Sequence, residues 1–259
     1  MDLVGALMPH ALSFGLVFSR VAGFVAASPF PGNHVAVTQR VGLTVCLSWL
    51  ASSVVRAPSL TLDARCVVSA AVELGCGVVL GLAFRFVFAA AEVLGQNLSQ
   101  ATGLSAPSVL NPTLEAQDAP LARALGLFAM YLALALGAHR VGLAYLFASF
   151  RTLPPGASMA FENTAVTFVD LAAQALSVGL RLSLPVAAVA LAVQVALAMV
   201  SRAAPSLQLF SVGLTVLVAA GAAVLLASAG DLATGLAEHL ATLAPRLDAL
   251  LTALRPSPP

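Results

Sequence analysis

The sequence predicts an all-helical integral membrane protein, and three observations carry that prediction. Of 259 residues, 60% are hydrophobic and 9% are charged, against about 45–50% and 25% in soluble domains. Mean hydropathy is +0.98. The apolar residues gather into runs near the roughly 20 residues that a helix needs to cross the hydrocarbon core. So few charges cannot cover a soluble globule of this size, which leaves lipid or other apolar helices to cover it. All 12 basic residues are Arg and formal net charge is +1, so no basic field is present to hold nucleic acid.

Six segments qualify as long apolar helices: 11–30, 41–55, 67–98, 121–147, 165–200 and 207–229. Met1-Asp2-Leu3 lacks the positive stretch that opens a signal peptide, so the first segment is expected to be retained. It stops at Pro29-Phe30-Pro31-Gly32-Asn33, where proline ends the hydrogen-bond ladder and Gly/Asn tolerate unusual dihedrals. The second segment is short for a span. The third and fifth exceed one bilayer thickness and are expected to be tilted, broken or projecting. Pro154-Pro155-Gly156 closes the fourth, and Arg202-Ala203-Ala204-Pro205 predicts a tight hairpin before the sixth. A weaker amphipathic tail covers 231–254, with a frayed end at Arg255-Pro256-Ser257-Pro258-Pro259. Cys46, Cys66 and Cys76 form no CxxC pair and are expected to act as small hydrophobes, without metal or disulfide.

Ionisable residues inside apolar segments cost a few kcal/mol or more and normally face protein or water. This chain has Arg20, Glu73, Arg85, Glu92, Asp170 and Arg181 in such places. At 100° per residue, Gly77, Gly81, Arg85, Glu92, Gln96, Ser99 and Gly103 share one helix face. Asp170, Gln174, Ser177 and Arg181 share another. A stripe of this kind is either a packing seam or the lining of an aqueous path. Gly77 and Gly81 form a GxxxG, which favours close helix approach. Both alternatives stay open for Arg85, Glu92, Gln96 and Ser99, and both require neighbouring subunits.

Residues 100–112, rich in Gly, Ser and Pro, form a long irregular connection between apolar helices. Such a segment is uncommon and often functional. At membrane depth it is tolerated only when buried in protein or lining a cavity. Gly103-Leu104-Ser105-Ala106 with His139 superficially suggests a serine/histidine protease, but nothing supplies an oxyanion-stabilising constellation. No catalytic, cofactor-binding or metal-binding residue is expected. A secondary transporter is the better alternative, given polar residues in Pro-broken helices, although no internal repeat relates the two halves.

In order and spacing the chain resembles the FliR/SctT family, the R/T subunit of flagellar and type III secretion export apparatus. The resemblance rests on Arg20 and Pro29; on Gly95, Gln96, Gly103-Leu104-Ser105, Asn111-Pro112, Pro120 and Leu121-Ala122-Arg123; on His139, Phe150 and Leu153-Pro154; and on Leu184-Pro185, Arg202, Ala204-Pro205, Phe210 and Gly213. Asn111, Ser206, Thr215 and Ala198 depart from the family's common Asp, Gln, Pro and Gly.

The resemblance implies a P-subunit-like part over 1–160 and a Q-subunit-like helical hairpin with an amphipathic tail over 161–259. It implies a channel-forming subunit of an export gate that passes unfolded secreted proteins, in the bacterial inner membrane at the base of a flagellum or injectisome. Partners would be P-type and Q-type gate subunits, the B/U-type export-switch subunit and membrane lipid. By position, Gly103, Leu104, Ser105, Pro107, Val109, Leu110, Asn111 and Pro112 would form the plug of the resting channel. Arg20, Asp170 and Arg181 are expected to serve as assembly charges.

Overall fold

The computed structural model describes residues 3–30, 35–55, 64–101, 120–203 and 209–255. Every regular element among these is helical: α1 (Leu3–Ala27), α2 (Val37–Val54), α3 (Ala64–Ala101), α4 (Pro120–Ala135), α5 (Ala138–Thr152), α6 (Phe161–Ala203), α7 (Leu209–Ala241) and α8 (Leu243–Ala253). The loop 103–112, the hairpin turn at Pro205 and the tail end 256–259 lie outside the described residues.

Both over-long segments are unbroken. The 38 residues of α3 and 43 of α6 would measure about 57 and 65 Å at 1.5 Å per residue, well beyond a bilayer core of about 30 Å. Pro185 sits inside α6 and the helix continues through it, although proline cannot donate to the carbonyl of Arg181 one turn back.

Among the described residues, three helical runs are long and apolar enough to cross a membrane: Arg65–Ala101, Glu162–Val200 and Thr215–Ala253. A fourth is reached if the bent pair Arg123–Ala135 and Ala138–Thr152 is one span. This is fewer than the six expected, for identifiable reasons. Ala11–Ala27 is an apolar stretch within the 25 residues of α1, and α2 mixes Thr, Gln, Arg and Ser among its apolar residues. The expected segment 121–147 is two helices meeting at 69°. Gly137 causes that break: its φ of 76° and ψ of 21° are left-handed, a conformation closed to most L-residues. Its carbonyl then accepts the Arg140 and Val141 amides at 2.9 and 3.3 Å, starting α5 in a new direction.

The chain divides into two compact units, interleaved along the sequence: Met1–Phe86, Gly137–Ala173 and Thr242–Pro259 in the first, Val87–Leu136 and Gln174–Ala241 in the second. In the first unit, α1 and α3 run side by side and parallel, successive turns of one facing successive turns of the other. Glycines allow the approach. A Cβ on Gly81 would lie 2.7 Å from the Phe24 carbonyl oxygen, and one on Gly77 would overlap that of Arg20. Leu16, Val17, Val21 and Phe24 from α1 and Leu80 and Phe84 from α3 are buried, and Gly142 of α5 sits against the Phe84 ring. The expected weak tail is well seated: α8 packs on α5 and buries Leu243, Leu247, Leu250 and Leu251, a helical i, i+4, i+7, i+8 pattern.

In the second unit, α6 and α7 pair as an antiparallel hairpin, with Leu197 near Gly213 and Leu182 near Gly235. Leu94, Leu98, Val186 and Leu232 form its buried cluster, flanked by Leu125, Leu182, Val224 and Leu225. The most apolar windows of Glu162–Val200 and Thr215–Ala253 are only 17% and 11% buried. Apolar surface on this scale requires lipid or another protein.

Candidate functional site

The charges that do not belong in lipid fall into two groups. One is a buried clasp in the first unit. Arg20 lies on the face of α1 turned to α3, one turn before Gly23, and Glu73 lies on α3 one turn before Gly77. The close approach of the two backbones brings the side chains together: Arg20 Nε donates to Glu73 Oε2 at 2.5 Å, with both residues at most 1% exposed. A second guanidinium nitrogen, Nη1, donates to Ser149 Oγ of α5 at 3.3 Å, and the guanidinium carbon stands 4.4 Å from the centre of the Phe150 ring. The hydroxyl of Ser149 donates in turn to the Leu146 carbonyl at 2.6 Å. Arg20 Nη2 has no hydrogen-bond partner among the described residues.

The other Glu73 oxygen is also used. Oε1 accepts the Gly156 amide at 2.9 Å. Gly156 belongs to the turn Pro154-Pro155-Gly156-Ala157, closed by the Ala157 amide donating to the Pro154 carbonyl at 3.1 Å. Proline at the second position and a φ of 85° at Gly156 are the features of a type II turn. One neutral ion pair thus joins α1, α3, α5 and the turn that leads to α6. Burying either charge alone would cost several kcal/mol; the pair and its extra hydrogen bonds offset that cost.

Arg20, expected with Asp170 and Arg181 to serve as an assembly charge, has these partners within its own chain. The signal was present, since Arg20 and Glu73 are opposite charges in otherwise apolar runs. What was missing is that α1 and α3 are parallel neighbours, which places residues 53 positions apart at one level.

The second group is exposed. Asp170, Gln174 and Arg181 on α6 are all exposed, and among the described residues Asp170 and Arg181 form no ion pair. The stripe on α3 is not uniform. Gly77 and Gly81 pack on α1, Arg85 is half-buried, Glu92 and Gln96 are exposed, and Ser99 is fully buried with a hydroxyl lacking a partner among the described residues. Near it, Asn97 Nδ2 donates to Ser183 Oγ of α6 at 3.3 Å. The expected plug residues Gly103 to Pro112 lie outside the described residues. Among the described residues, no group of three or more His, Cys, Asp or Glu is placed to hold a metal.

Apolar helices that bury little of themselves, held by an internal charge clasp and displaying charges on an otherwise apolar helix, define a helical membrane protein that completes its surface with other molecules. The chain belongs to the family described as bacterial export proteins, family 1, which its residues 11–243 match. It is similar to the flagellar biosynthetic protein FliR of Bacillus subtilis, 28% identical over 80% of this chain and 82% of that one. It is likewise similar to the FliR proteins of Caulobacter vibrioides, 26% identical over 84% and 88%, and of Aquifex aeolicus, 26% identical over 86% and 88%. As a bacterial export protein it is a component of export machinery, not an enzyme.

Proposed function

We propose that this chain is a structural subunit of the flagellar protein export gate, helping to form and close the conduit for unfolded substrate proteins in the bacterial inner membrane. The observation that carries the reading is the display of Asp170 and Arg181 on α6, a helix whose most apolar window is only 17% buried within its own chain. Charges so placed need a protein or aqueous neighbour. The FliR relatives support the flagellar form of the machinery. The neighbours would be P-type and Q-type gate subunits, with the B/U-type switch subunit at the same site. The antiparallel α6–α7 pair supports a Q-like hairpin in 161–259 beside a P-like part in 1–160. Residues 103–112 would be the plug.

Purification of the tagged chain in mild detergent tests this. The chain is expected to bring small helical membrane proteins with it, and Arg181→Ala to lower the yield of intact complex by stranding its partner's charge. A stable, monodisperse monomer would overturn the reading in favour of a self-sufficient transporter. Normal complex yield with reduced export in Arg181→Ala would move that residue from assembly to conduction.

A further inference from the structure

We infer that Glu73 does more than neutralise Arg20: it selects the backbone orientation of the Pro154–Ala157 turn, in the link that leads from α5 to α6. Its consequence for assembly rests on the reading above; its consequence for the turn does not.

Type I and type II turns differ mainly in the central peptide, which is rotated by about half a turn between them. Here that peptide joins Pro155 to Gly156. In the observed turn its N–H points at Glu73 Oε1, 2.9 Å away. In a type I turn the same N–H would point away and the Pro155 carbonyl would face a buried carboxylate. Oε1 would then lose its backbone donor and face a carbonyl oxygen instead, an expensive state for a buried acceptor, while Oε2 stays with Arg20. Gly156 makes the observed choice possible, since its φ of 85° strains any residue with a Cβ.

The turn lies a short distance before α6. The helix begins at Phe161, and the Ala160 carbonyl accepts both the amide and the hydroxyl of Thr164, at 3.2 and 2.6 Å. The Ala160 amide reaches the Leu254 carbonyl at 3.5 Å, and the Thr164 hydroxyl approaches that of Ala253 at 3.4 Å. The first turn of α6 is therefore tied to the end of α8 as well as to the clasp.

A carboxylate that only balanced Arg20 could exchange places with it; a carboxylate that also accepts Gly156 could not. Hydrogen–deuterium exchange on the detergent-extracted complex separates the two. In Glu73→Gln the single side-chain carbonyl can serve Arg20 or Gly156 but not both. In the exchanged variant, Arg20→Glu with Glu73→Arg, opposite charges are restored and Gly156 has no acceptor. Both are expected to speed amide exchange in the peptide 153–160 about tenfold, the scale of one hydrogen bond to a charged group, while in the exchanged variant α1 and α3 stay protected. Wild-type protection of 153–160 in the exchanged variant would overturn the proposal. Should that variant fail to fold, Gly156→Ala keeps both charges and acts only on the turn. It is expected to show the same local loss of protection, and unchanged protection there would also overturn the proposal. If protection falls in 153–160 while complex yield holds, Glu73 still holds the turn, and the turn is not what assembly depends on.

Discussion

At the scale of single residues, the buried pair behaves differently from either of its members. Removing one partner leaves an uncompensated charge at a site at most 1% exposed, and breaking such a pair costs about 3–5 kcal/mol. Arg20→Ala and Glu73→Ala are each expected to lower the thermal midpoint of the detergent-solubilised protein sharply. Replacing both with Leu removes both desolvation penalties at once and is expected to recover most of the loss, as buried ion pairs exchanged for apolar side chains commonly do. Recovery should remain incomplete because the Gly156 amide then lacks its acceptor. Thermal unfolding of the two single variants and the double variant checks the order; a double variant as unstable as either single one would mean that the pair's geometry, not its charge, holds the site.

At the scale of elements, glycines two residues apart on α3 have opposite consequences. A Cβ on Gly77 would overlap the backbone of α1, whereas a Cβ on Gly75 would have nothing within 4 Å. Gly75→Ala is expected to stabilise by up to about 1 kcal/mol, the usual gain of Ala over Gly in a helix interior. Gly77→Ala is expected to destabilise despite the same propensity gain, because two backbones must move apart and interior packing resists that. Thermal midpoints of the pair test this, and equal shifts would remove the α1–α3 seam from the account. This seam was legible in the sequence as a GxxxG, since residues four apart share a face whatever the partner. The bend at Gly137 was not: glycine inside an apolar run is tolerated in a helix, and only its positive φ distinguishes a break from a pause. The role of α8 was legible in part. Its leucines at 243, 247, 250 and 251 have helical spacing, but the α5 surface that buries them is about a hundred residues away.

At the scale of the whole molecule, the helical class was legible from composition, because hydrophobic content and charge are properties of the entire chain. The number of spans was not, since it depends on where runs bend and how far they project. The segment 103–112 connects α3 to α4, and its chemistry suits a movable seal. Gly103 permits dihedrals closed to other residues, while Pro107 and Pro112 bar continuation of a helix. Leu104, Val109 and Leu110 supply apolar bulk of the kind that closes pores by dewetting. The segment carries no charge, so opening would break few strong contacts. Shortening it should leave the scaffold assembled, because the cost of closing a loop changes slowly with its length. The α3–α6 packing is made by Ala90, Val93 and Gly179 and by the cluster around Leu94, Leu98 and Val186. The expected outcome is a gate complex of unchanged composition that leaks ions when no substrate is present, read as a fall in membrane potential or a rise in single-channel conductance. A shortened complex that assembles and stays as tight as the wild type would show that another subunit makes the seal and that 103–112 only connects two helices.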